Sequence, residues 1–497
     1  MVFLTALLVL WTFAVAKAVN TSSFLPITDK PRVFILSDIA NEPDDAESLT
    51  RYLLYSNQFQ TEGIVAVTST WLQNEVHPEQ MLSIIDAYSN ITENLNRHAP
   101  PGSPYPSGKH MRSLVRKGAA TYGMTAVGKD IPLSDGGSLL LKRLQEESDQ
   151  PLWVLAWGGT NVLAQVLYKI HDTYSATEAA TLRSRLRVYT VSDQDDTGAW
   201  IRQQFPEIFY ISSTHGWNQY GLAAWIGISG KDYYGEDHGG PDFSKVTPNW
   251  LRENIQVGPY GKAAYPDYQF IMEGDTPTFL YLIQNGLGVS EHPDYGSWGG
   301  RYTKVNPSTV LNFNHYSDAA DRVVGKNNET FISNRATVWR WRSAFQNDFA
   351  ARMQWSLPAN ISRANHHPVI SVNGSFDIAP MNVIAAAGST ITFNAAATSD
   401  PDGDSLSFNW FQYREPGSTN WNVAGQVPEL NVTLTDGGQK AQVQLPAASE
   451  SCDGEALTYS GCWLLHLILE VTDDGYHPLT SYRRILIQTT NATEVSV

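Results

Sequence analysis

Residues 32–49 read RVFILSDIANEPDDAESL, and this stretch decides the fold that the sequence predicts. The unbroken apolar run at 33–36 is typical of a buried strand in a parallel sheet. A turn follows it, and Pro43 stands at a first helical position before residues 46–55, which have helical spacing. A strand that leads directly into a helix in this way predicts the first unit of an α/β fold.

Four carboxylates crowd the end of this predicted strand and the first turn of the helix: Asp38, Glu42, Asp44 and Asp45. In open α/β sheets, ligands bind in the crevice at the carboxyl ends of the strands. The positive end of the helix dipole accounts for one or two of these acids, but poorly for four. Carboxylates so close together repel one another unless a cation lies among them, and hard cations take oxygen ligands. The stretch therefore predicts a metal site.

The next segments repeat the same alternation of strand and helix. Apolar runs at 62–69, 152–157 and 186–191 predict further strands, and helical spacing follows at 78–88 and 162–170. This alternation predicts a mostly parallel sheet with helices on both faces.

From residue 368 the pattern changes to short alternating strands separated by turn residues, which favours an immunoglobulin-like β-sandwich. The predicted strands are 369–372, 390–395, 405–413, 441–445, 464–471 and 482–488. The sequence thus predicts an α/β domain followed by a β-sandwich. The predicted bounds are a signal peptide at 1–18, the α/β domain at 27–355, a linker at 356–367 and the sandwich at 368–497.

An acidic run at 399–404, SDPDGD, lies within this second region. It suggests a partial calcium loop, but the downstream Glu of an EF-hand is missing. An Asx-turn is therefore the favoured interpretation.

Several features indicate a secreted protein. The apolar run at 2–16 ends in a small-x-small cleavage signal, which is typical of a secretory signal peptide. Two cysteines, Cys452 and Cys462, are expected to form one disulfide in an oxidising compartment. Seven Asn-x-Ser/Thr sequons are predicted glycosylation sites. They are Asn20, Asn90, Asn328, Asn360, Asn373, Asn431 and Asn491.

Charge and composition restrict the choice of partner. The formal net charge is −16 and the pI is near 5.2, which argues against binding to nucleic acid or to an anionic membrane. After residue 18 there is no apolar stretch of about 20 residues that would span a membrane. The 15 Trp and 23 Tyr suit contacts with carbohydrate, although core packing explains them as well. A carbohydrate partner is expected, and the oligomeric state stays open.

The run at 38–45, DIANEPDD, resembles the amino-terminal acidic signature of the nucleoside hydrolase superfamily, Asp-Thr-Asp-Pro-Gly-x-Asp-Asp. In an ungapped alignment, Asp38, Asp44 and Asp45 match acidic positions of that signature. Its central Asp, the calcium-binding general base of the hydrolases, falls on Ala40. The variant Asn-Glu-Pro-Asp-Asp is closer to the nucleoside-hydrolase-like branch labelled cellulose-binding.

Two more motifs extend the resemblance over roughly residues 30–355. Residues 158–161, GGTN, are similar to the Gly-Pro-Leu-Thr-Asn turn, in which the Thr gives a backbone carbonyl to calcium. Residues 273–277, EGDTP, resemble the segment that carries the family's later calcium-binding Asp. The matching positions are expected to follow three separate strands, so that one crevice brings them together. The resemblance implies a calcium site made by Asp45, Thr160 and Asp275, with Asp38 as a further candidate.

Since Ala40 replaces the usual base, another carboxylate must take that role if the site is catalytic. Asp38 and Glu42 are the candidates, and Glu42 is favoured because Asp38 matches an acid that the family has beside its base. Substrate contacts are expected from Asp44, Asn161, Trp71, His215, Trp217, Asn218, Glu273 and Trp298. Structural alternatives exist: Thr160 and Asp275 could be helix N-caps, His215 a structural histidine and Trp298 a core residue.

Cleavage of a glycosidic bond passes through an oxocarbenium-like sugar, which calcium and carboxylates can help to orient and attack. The sequence therefore predicts a secreted glycoside hydrolase acting on cell-wall polysaccharide or oligosaccharide, with furanosides favoured. One alternative is a non-catalytic carbohydrate-binding or cellulose-binding protein, which the loss of the base at Ala40 supports. Another is a secreted nucleosidase.

Overall fold

A computed structural model describes residues 24, 27, 29–229, 237–306, 312–358, 364–417, 427–452 and 461–491. The predicted signal peptide, Asn20 and Asn360 lie outside these residues. So does part of the predicted linker.

The large amino-terminal unit is built on one sheet, which begins with the strand predicted from the opening stretch. That strand, β1, spans Arg32–Ser37, and all six of its residues are buried. The other strands are β2 (Gln60–Ala66), β3 (Val115–Lys117), β4 (Leu152–Ala156), β5 (Leu186–Thr190), β6 (Phe209–Ser212), β7 (Tyr302–Lys304) and β8 (His315–Asp318).

The sheet order is β3-β2-β1-β4-β5-β6-β8-β7, and each pair except β7 with β8 is parallel. The predicted α/β fold with a mostly parallel sheet is thus confirmed. The antiparallel strand at the edge, together with a small hairpin of β9 (Asp321–Val324) and β10 (Thr330–Ser333), was not predicted.

Helices cover both faces of this sheet. Side chains of β1 alternate between the two faces, so Val33 and Ile35 pack in one core while Phe34 and Leu36 pack in the other. The helices are α1 (Asp44–Tyr55), α2 (Pro78–Ser89), α3 (Thr92–Asn96), α4 (Gly108–Leu114), α5 (Asp135–Gln145), α6 (Asn161–Thr173), α7 (Ala176–Ser184), α8 (Thr197–Gln204), α9 (Pro248–Asn254), α10 (Gly258–Ala264), α11 (Thr276–Leu280), α12 (Ala336–Trp339) and α13 (Arg342–Trp355).

The carboxyl-terminal unit consists of two facing sheets, as a β-sandwich requires. One has the order β11-β17-β16-β13 and the other β12-β15-β14. Their inner faces enclose a separate apolar core. The elements are β11 (Met381–Ala386), β12 (Thr390–Asn394), β13 (Leu406–Gln412), β14 (Asn431–Thr435), β15 (Lys440–Gln444), a short helix α14 (Ala448–Ser451), β16 (Leu464–Asp473) and β17 (Thr480–Thr490).

The predicted sandwich is confirmed, but its first strand was misplaced. Residues 369–372 form only isolated bridges, and the strand in that part of the sheet is β11, which pairs in parallel with β17. The six residues of β11 include one polar residue, Asn382, and none of them is buried, so the strand lacks the buried apolar pattern on which a hydrophobicity argument depends.

Covalent and surface features agree with the sequence. Cys452 and Cys462 form the expected disulfide. Sequons within the described residues have exposed asparagines, at Asn90, Asn328, Asn373, Asn431 and Asn491. None of the described helices is long and apolar enough to cross a membrane.

The two units share a buried interface. Tyr482 of β17 donates its backbone N–H to Asn285 O (2.9 Å), and Arg484 donates to the carbonyls of Leu287 (2.8 Å), Tyr295 (3.0 Å) and Gly296 (3.1 Å). Tyr482 also belongs to the apolar core of the large unit. The large unit and the sandwich are therefore joined by packing and by hydrogen bonds that tie loop carbonyls of one to side chains of the other.

Candidate active site

A cleft of about 200 Å³ opens at the carboxyl edge of the parallel sheet. Its floor comes from the segment after β1, and its walls come from segments after β2, β4, β5 and β6. A loop before α11 closes the remaining side. The acidic lining residues are Asp38, Glu42, Asp44, Asp45 and Asp275.

Three of these carboxylates converge. Asp44, Asp45 and Asp275 each place an oxygen within 4.8 Å of the others. Asp45 and Asp275 are almost completely buried, at 3% and 2% exposure. Asp45 Oδ1 accepts a hydrogen bond from Ser37 Oγ (2.5 Å), whereas Asp275 Oδ2 is buried without a hydrogen-bond partner among the described residues.

Backbone geometry allows this close approach. A Cβ atom on Gly274 would lie 2.8 Å from Asp44 Oδ2, and one on Gly158 would lie 2.8 Å from Asp38 Oδ1. Both positions therefore need glycine, because any side chain there would push a carboxylate out of the cluster. The two glycines of the 158–161 motif thus make room for acids as well as forming a turn.

Burial raises the pKa of each of these carboxylates, and repulsion by neighbouring carboxylates adds to it for Asp44, Asp45 and Asp275. Burial raises the pKa of Asp38 to about 6, against the hydrogen bond from Ser69. Burial and then the charge of Glu42 raise the pKa of Asp44 to about 8. The pKa values of Asp45 and Asp275 are raised well above the ordinary range by burial first and by neighbouring carboxylates second.

This donor set fits a hard divalent cation. Carboxylate oxygens are the ligands that calcium prefers, and the bare buried oxygen of Asp275 lacks the partner that such an atom normally has. A cation between the carboxylates would remove the repulsion that raises their pKa values.

Asp275 enters the cluster by a route that differs from the prediction. It caps the amino end of α11, and no strand among the described residues leads directly into it. Left-handed residues Phe270 (φ 59°) and Glu273 (φ 52°) turn the chain so that Asp275 faces the end of β1. The helix that follows it, α11, has only five residues.

Thr160 and Asn161 follow β4 and are not among the residues that line the cleft, and the calcium contact of the Thr160 carbonyl stays a prediction. Thr160 O accepts the α6 hydrogen bond from Ala164 N (2.9 Å), and its hydroxyl pairs with Thr197 Oγ1 (2.7 Å). Asn161 is fully buried and donates to Thr68 Oγ1 and Thr121 O, both at 2.9 Å. Asn161 therefore fixes the loop behind the cleft.

The two candidate bases differ in exposure. Asp38 is 3% exposed and faces Asp45 and Ser69 at the floor, whereas Glu42 is half-buried at the cleft wall. Burial and the charge of Asp38 raise the pKa of Glu42. Between them, Ala40 has φ 92°, a left-handed conformation that side chains rarely adopt.

Aromatic side chains form the rim of the cleft. Trp71 and Trp217 are 45% and 66% exposed, and their rings stack with centroids 5.9 Å apart. Trp71 Nε1 donates to Tyr220 OH (3.2 Å), and both of these residues line the cleft. Asn218 also lines the cleft, with φ 51°. We call Trp71, Trp217 and Tyr220 the aromatic rim.

His215 supports this rim from below. Its Nε2 pairs with Ser192 Oγ (2.7 Å), its Nδ1 lies 2.8 Å from Gly216 O, and its ring packs edge-on against Tyr220. Both ring nitrogens are thus occupied by partners within the protein.

Two predicted contact residues are placed elsewhere. Glu273 is fully buried beneath the cleft, where it forms an ion pair with Arg51 (2.7 Å) and accepts from Tyr265 OH (2.7 Å). Trp298 is 1% exposed at the interface with the sandwich, and its Nε1 donates to Tyr482 OH (3.3 Å). These contacts give both residues structural roles.

The cleft also contains residues that sequence reasoning missed, among them Gln194, Tyr220, Trp225 and Phe270. Gln194 follows β5 and donates to Trp157 O, so its position at a strand end was a usable signal. Tyr220, Trp225 and Phe270 come from irregular loops, where no periodic hydrophobic pattern indicates which side chains face the cleft.

Comparison with protein families agrees with this fold. Residues 32–302 match the family described as "Cellulose-binding Sde182, nucleoside hydrolase-like domain", and residues 390–489 match "Cellulose-binding protein Sde0182, C-terminal domain". The chain therefore belongs to this nucleoside hydrolase-like family, which confirms the resemblance seen in the acidic motif. No curated protein sequence matches the chain.

Among solved structures, the chain is similar to a nucleoside hydrolase-related hypothetical protein from Saccharophagus degradans that is associated with carbohydrate metabolism. The identity is 30% and the TM-score 0.73, over 93% of this chain and 100% of that one. The effector protein XOO4466 is 12% identical with a TM-score of 0.28, over 66% of this chain and 93% of that one. A mouse protocadherin fragment, PcdhgC3 EC1-3, is 18% identical with a TM-score of 0.14, over 23% and 32%. Only the first of these similarities supports an argument about the whole fold.

Proposed function

We propose that this protein is a secreted glycoside hydrolase that acts on cell-wall carbohydrate, with furanosides favoured, at a calcium-assisted carboxylate site. The observation that carries the proposal is a cleft lined by a cluster of carboxylates and by the exposed Trp71, whose ring stacks on that of Trp217. Aromatic faces suit sugar rings, and carboxylates supply the base that glycoside cleavage needs. The family's cellulose-binding description and the carbohydrate association of the Saccharophagus degradans protein support the substrate class.

Calcium would be held by Asp45 and Asp275, with Asp44 and Asp38 beside them. Bound there, it would supply a positive charge that orients sugar hydroxyls. The protein's own groups then position the sugar: the aromatic rim packs on its apolar face, and the half-buried Glu42 faces the same space.

Glu42 is the proposed general base. Burial and the charge of Asp38 raise its pKa, which makes the carboxylate a stronger base, and its side chain lines the cleft from the turn. Asp38 instead faces Asp45 and Ser69 at the floor, where it helps to complete the cation site. An acid for the leaving group is not assigned, because His215 and Glu273 are both engaged within the protein and Asp237 pairs with Arg335.

The experiment compares Glu42→Gln with Asp38→Asn on a panel of plant and microbial polysaccharides and aryl furanosides. Loss of a general base costs roughly 10²–10⁴-fold in rate, so Glu42→Gln should lose that much kcat while retaining calcium and substrate binding. Glu147→Gln, at an exposed carboxylate outside the cleft, is the matched control and should remain fully active. Normal turnover by Glu42→Gln together with an inactive Asp38→Asn would move the role to Asp38.

A second candidate is a non-catalytic carbohydrate-binding protein, and Ala40 is the observation that favours it. Where the superfamily has its base, this chain has a methyl group on a left-handed backbone. If the wild-type protein binds oligosaccharides without releasing reducing sugar from any of them, this second function replaces the first.

Secretion is part of the same proposal. The disulfide and the exposed sequon asparagines suit an oxidising, glycosylating pathway. A test is the mass of protein collected from the medium of a eukaryotic host before and after removal of N-glycans. An unchanged mass, or retention of residues 1–18, would contradict it.

A further inference from the structure

A second group of carboxylates lies in the β-sandwich, between β12 and β13. Asp400, Asp402 and Asp404 place oxygens within 4.8 Å of one another. Asp400 makes the Asx-turn that the sequence favoured: its Oδ1 accepts from the backbone N–H groups of Asp402 (2.8 Å), Gly403 (2.9 Å) and Asp404 (3.1 Å). The turn leaves Asp400 Oδ2 buried and without a hydrogen-bond partner in the described parts of the chain.

Asp473, at the end of β16, shows the same division between its two oxygens. Its Oδ1 accepts from Asn365 Nδ2 (2.8 Å), Gly475 N (3.0 Å) and Leu479 N (3.0 Å). Its Oδ2 has no hydrogen-bond partner within the described chain. This oxygen is buried, and Asp473 as a whole is only 4% exposed. Asn365 is 6% exposed, and its Oδ1 is bare in the same way.

Backbone pairing and hydrogen bonds bring these side chains to the same end of the sandwich: Leu406 lies opposite Asp473 in the sheet, while the adjacent residues Asn365 and His366 bind Asp473 and Asp402. The pKa of Asp473 is raised by burial and by the charge of Asp400. The pKa of Asp404 is raised by burial and by the charges of Asp402, Asp473 and Asp474. A buried oxygen without a partner costs roughly 1–3 kcal/mol, more when it is charged, so several such atoms beside one another require an explanation.

We propose that these loops form a second calcium site, made by Asp400, Asp404 and Asp473 together with the side-chain oxygen of Asn365. Calcium takes six to eight oxygen ligands in flexible geometry, and water can supply those that the protein does not. The hydrogen bonds to the other oxygen of Asp400 and of Asp473 fix both carboxylates in place, as ligand-supporting bonds do in metal sites.

The position of this site gives it a structural role at the junction of the two units. Asn365 and His366 precede the sandwich, and Asp402 accepts from His366 N (2.7 Å) while its carboxylate also contacts the ring Nδ1 (3.0 Å). The His366 ring stacks on Trp355 (5.5 Å) and His98 (5.2 Å) of the large unit. Calcium bound by the sandwich loops would thus hold the segment that connects them to α13.

This inference does not depend on the proposed function, and the test separates the two sites. Calcium is titrated calorimetrically into full-length, chelator-treated protein, using wild type, Asp45→Asn, Asp404→Asn and the double variant. We expect two, one, one and no bound calcium ions, respectively. Asp404→Asn is preferred to the other ligand substitutions because no side-chain hydrogen bond of Asp404 would be lost within the described structure. The lower charge of the ligands should weaken the affinity of the sandwich site for calcium by at least about tenfold.

Asp436→Asn is the matched control, since it removes an exposed carboxylate from the same sandwich. The inference is overturned if Asp404→Asn titrates like Asp436→Asn. If wild type binds one ion that Asp45→Asn retains and Asp404→Asn loses, the junction site stands and the cleft site fails.

A second measurement uses a variant in which no residue of the sandwich is substituted. In Asp45→Asn, calcium should slow proteolytic cleavage within residues 356–367 by at least about tenfold, because the bound ion fixes Asn365 and its neighbours. Equal cleavage rates with calcium and with chelator would overturn the inference.

Discussion

Protons and calcium compete for the same oxygens in the cleft. The carboxylates of Asp38, Asp44, Asp45 and Asp275 all have raised pKa values, because each is buried beside others of the same charge. Without a cation, the folded protein therefore holds protons on these groups that the unfolded chain releases.

This competition predicts a specific pH dependence. Between the ordinary Asp pKa of about 4 and the Asp44 value of about 8, the folded state binds more protons than the unfolded state. The contribution of these groups to the free energy of unfolding therefore falls as pH rises through this range in chelator. Calcium replaces the protons, so the increase in melting temperature that it causes should grow from about pH 5 to about pH 8. Differential scanning fluorimetry with calcium or EDTA measures it.

Asp275→Asn provides the control for that experiment, since it removes a ligand and one of the repelling charges. When the sandwich site is also removed by Asp404→Asn, the melting temperature of this variant should respond little to calcium at any pH. A calcium effect in wild type that shrank as pH rose would contradict the proposed competition.

Ala40 stores backbone strain that a single substitution can release. At φ 92° a Cβ atom is unfavourable, whereas glycine adopts this conformation freely. Ala40→Gly should increase the free energy of unfolding by about 0.5–1 kcal/mol in urea denaturation. Ala46→Gly, in α1, is the opposite control: it should decrease stability by roughly the same amount, because glycine weakens helix interiors. A destabilising Ala40→Gly would show that the methyl group is needed where it lies.

At the scale of elements, the cleft is made by loops while the strands only position them. The segment after β6 brings Asn218 and Tyr220 to the cleft and stacks Trp217 on Trp71, and Tyr220 anchors it to Trp71 by a hydrogen bond. If this rim binds sugar, Trp217→Ala should weaken oligosaccharide affinity by about tenfold, corresponding to roughly 1.4 kcal/mol of ring contact. Calcium affinity should not change, because the ring lies outside the cluster.

Calorimetric titration of an oligosaccharide measures this effect. Tyr476→Ala is the control, since this residue is 67% exposed on the sandwich and should leave affinity unchanged. Equal affinities of Trp217→Ala and wild type would remove the rim from the binding site.

The elements that sequence predicts well here are those with a continuous or periodic apolar pattern. Buried strands such as β1 and β4 contain unbroken apolar runs, and the acidic turn after β1 could be placed at the sheet edge from chain order alone. Glu273 and Trp298 resisted prediction for a different reason. Their neighbours in space, Arg51 and Tyr482, lie far away in sequence, so no local pattern shows that these side chains are already occupied.

At the scale of the whole molecule, one carboxylate links the two units. Asp321 is fully buried and binds Arg301 Nε, Arg340 Nη1 and Tyr413 OH, each at 2.7 Å. Although burial opposes its ionisation, the charges of Arg301 and Arg340 keep the pKa of Asp321 below its usual range. The tyrosine belongs to the sandwich side, and the arginines belong to the large unit.

Asp321→Asn should therefore be strongly destabilising. It removes the charge that compensates two arginines and should cost about 3–5 kcal/mol, the usual penalty for breaking a buried ion pair. Tyr413→Phe removes one neutral donor and should cost only about 1 kcal/mol or slightly more. Urea denaturation followed by tryptophan fluorescence measures both, and similar losses in the two variants would contradict the central role of Asp321.

The contacts of β17 also have a consequence for the order in which the protein matures. Arg484 satisfies carbonyls of Leu287, Tyr295 and Gly296, yet it is synthesised long after them. At about 5–20 residues per second, a ribosome needs roughly 10–40 s to make the intervening chain. During that interval the nascent α/β layer has incomplete loops at residues 285–296. The loops at residues 285–296 can therefore form their hydrogen bonds to Arg484 only after β17 has been synthesised. The large unit is completed only when translation is nearly finished.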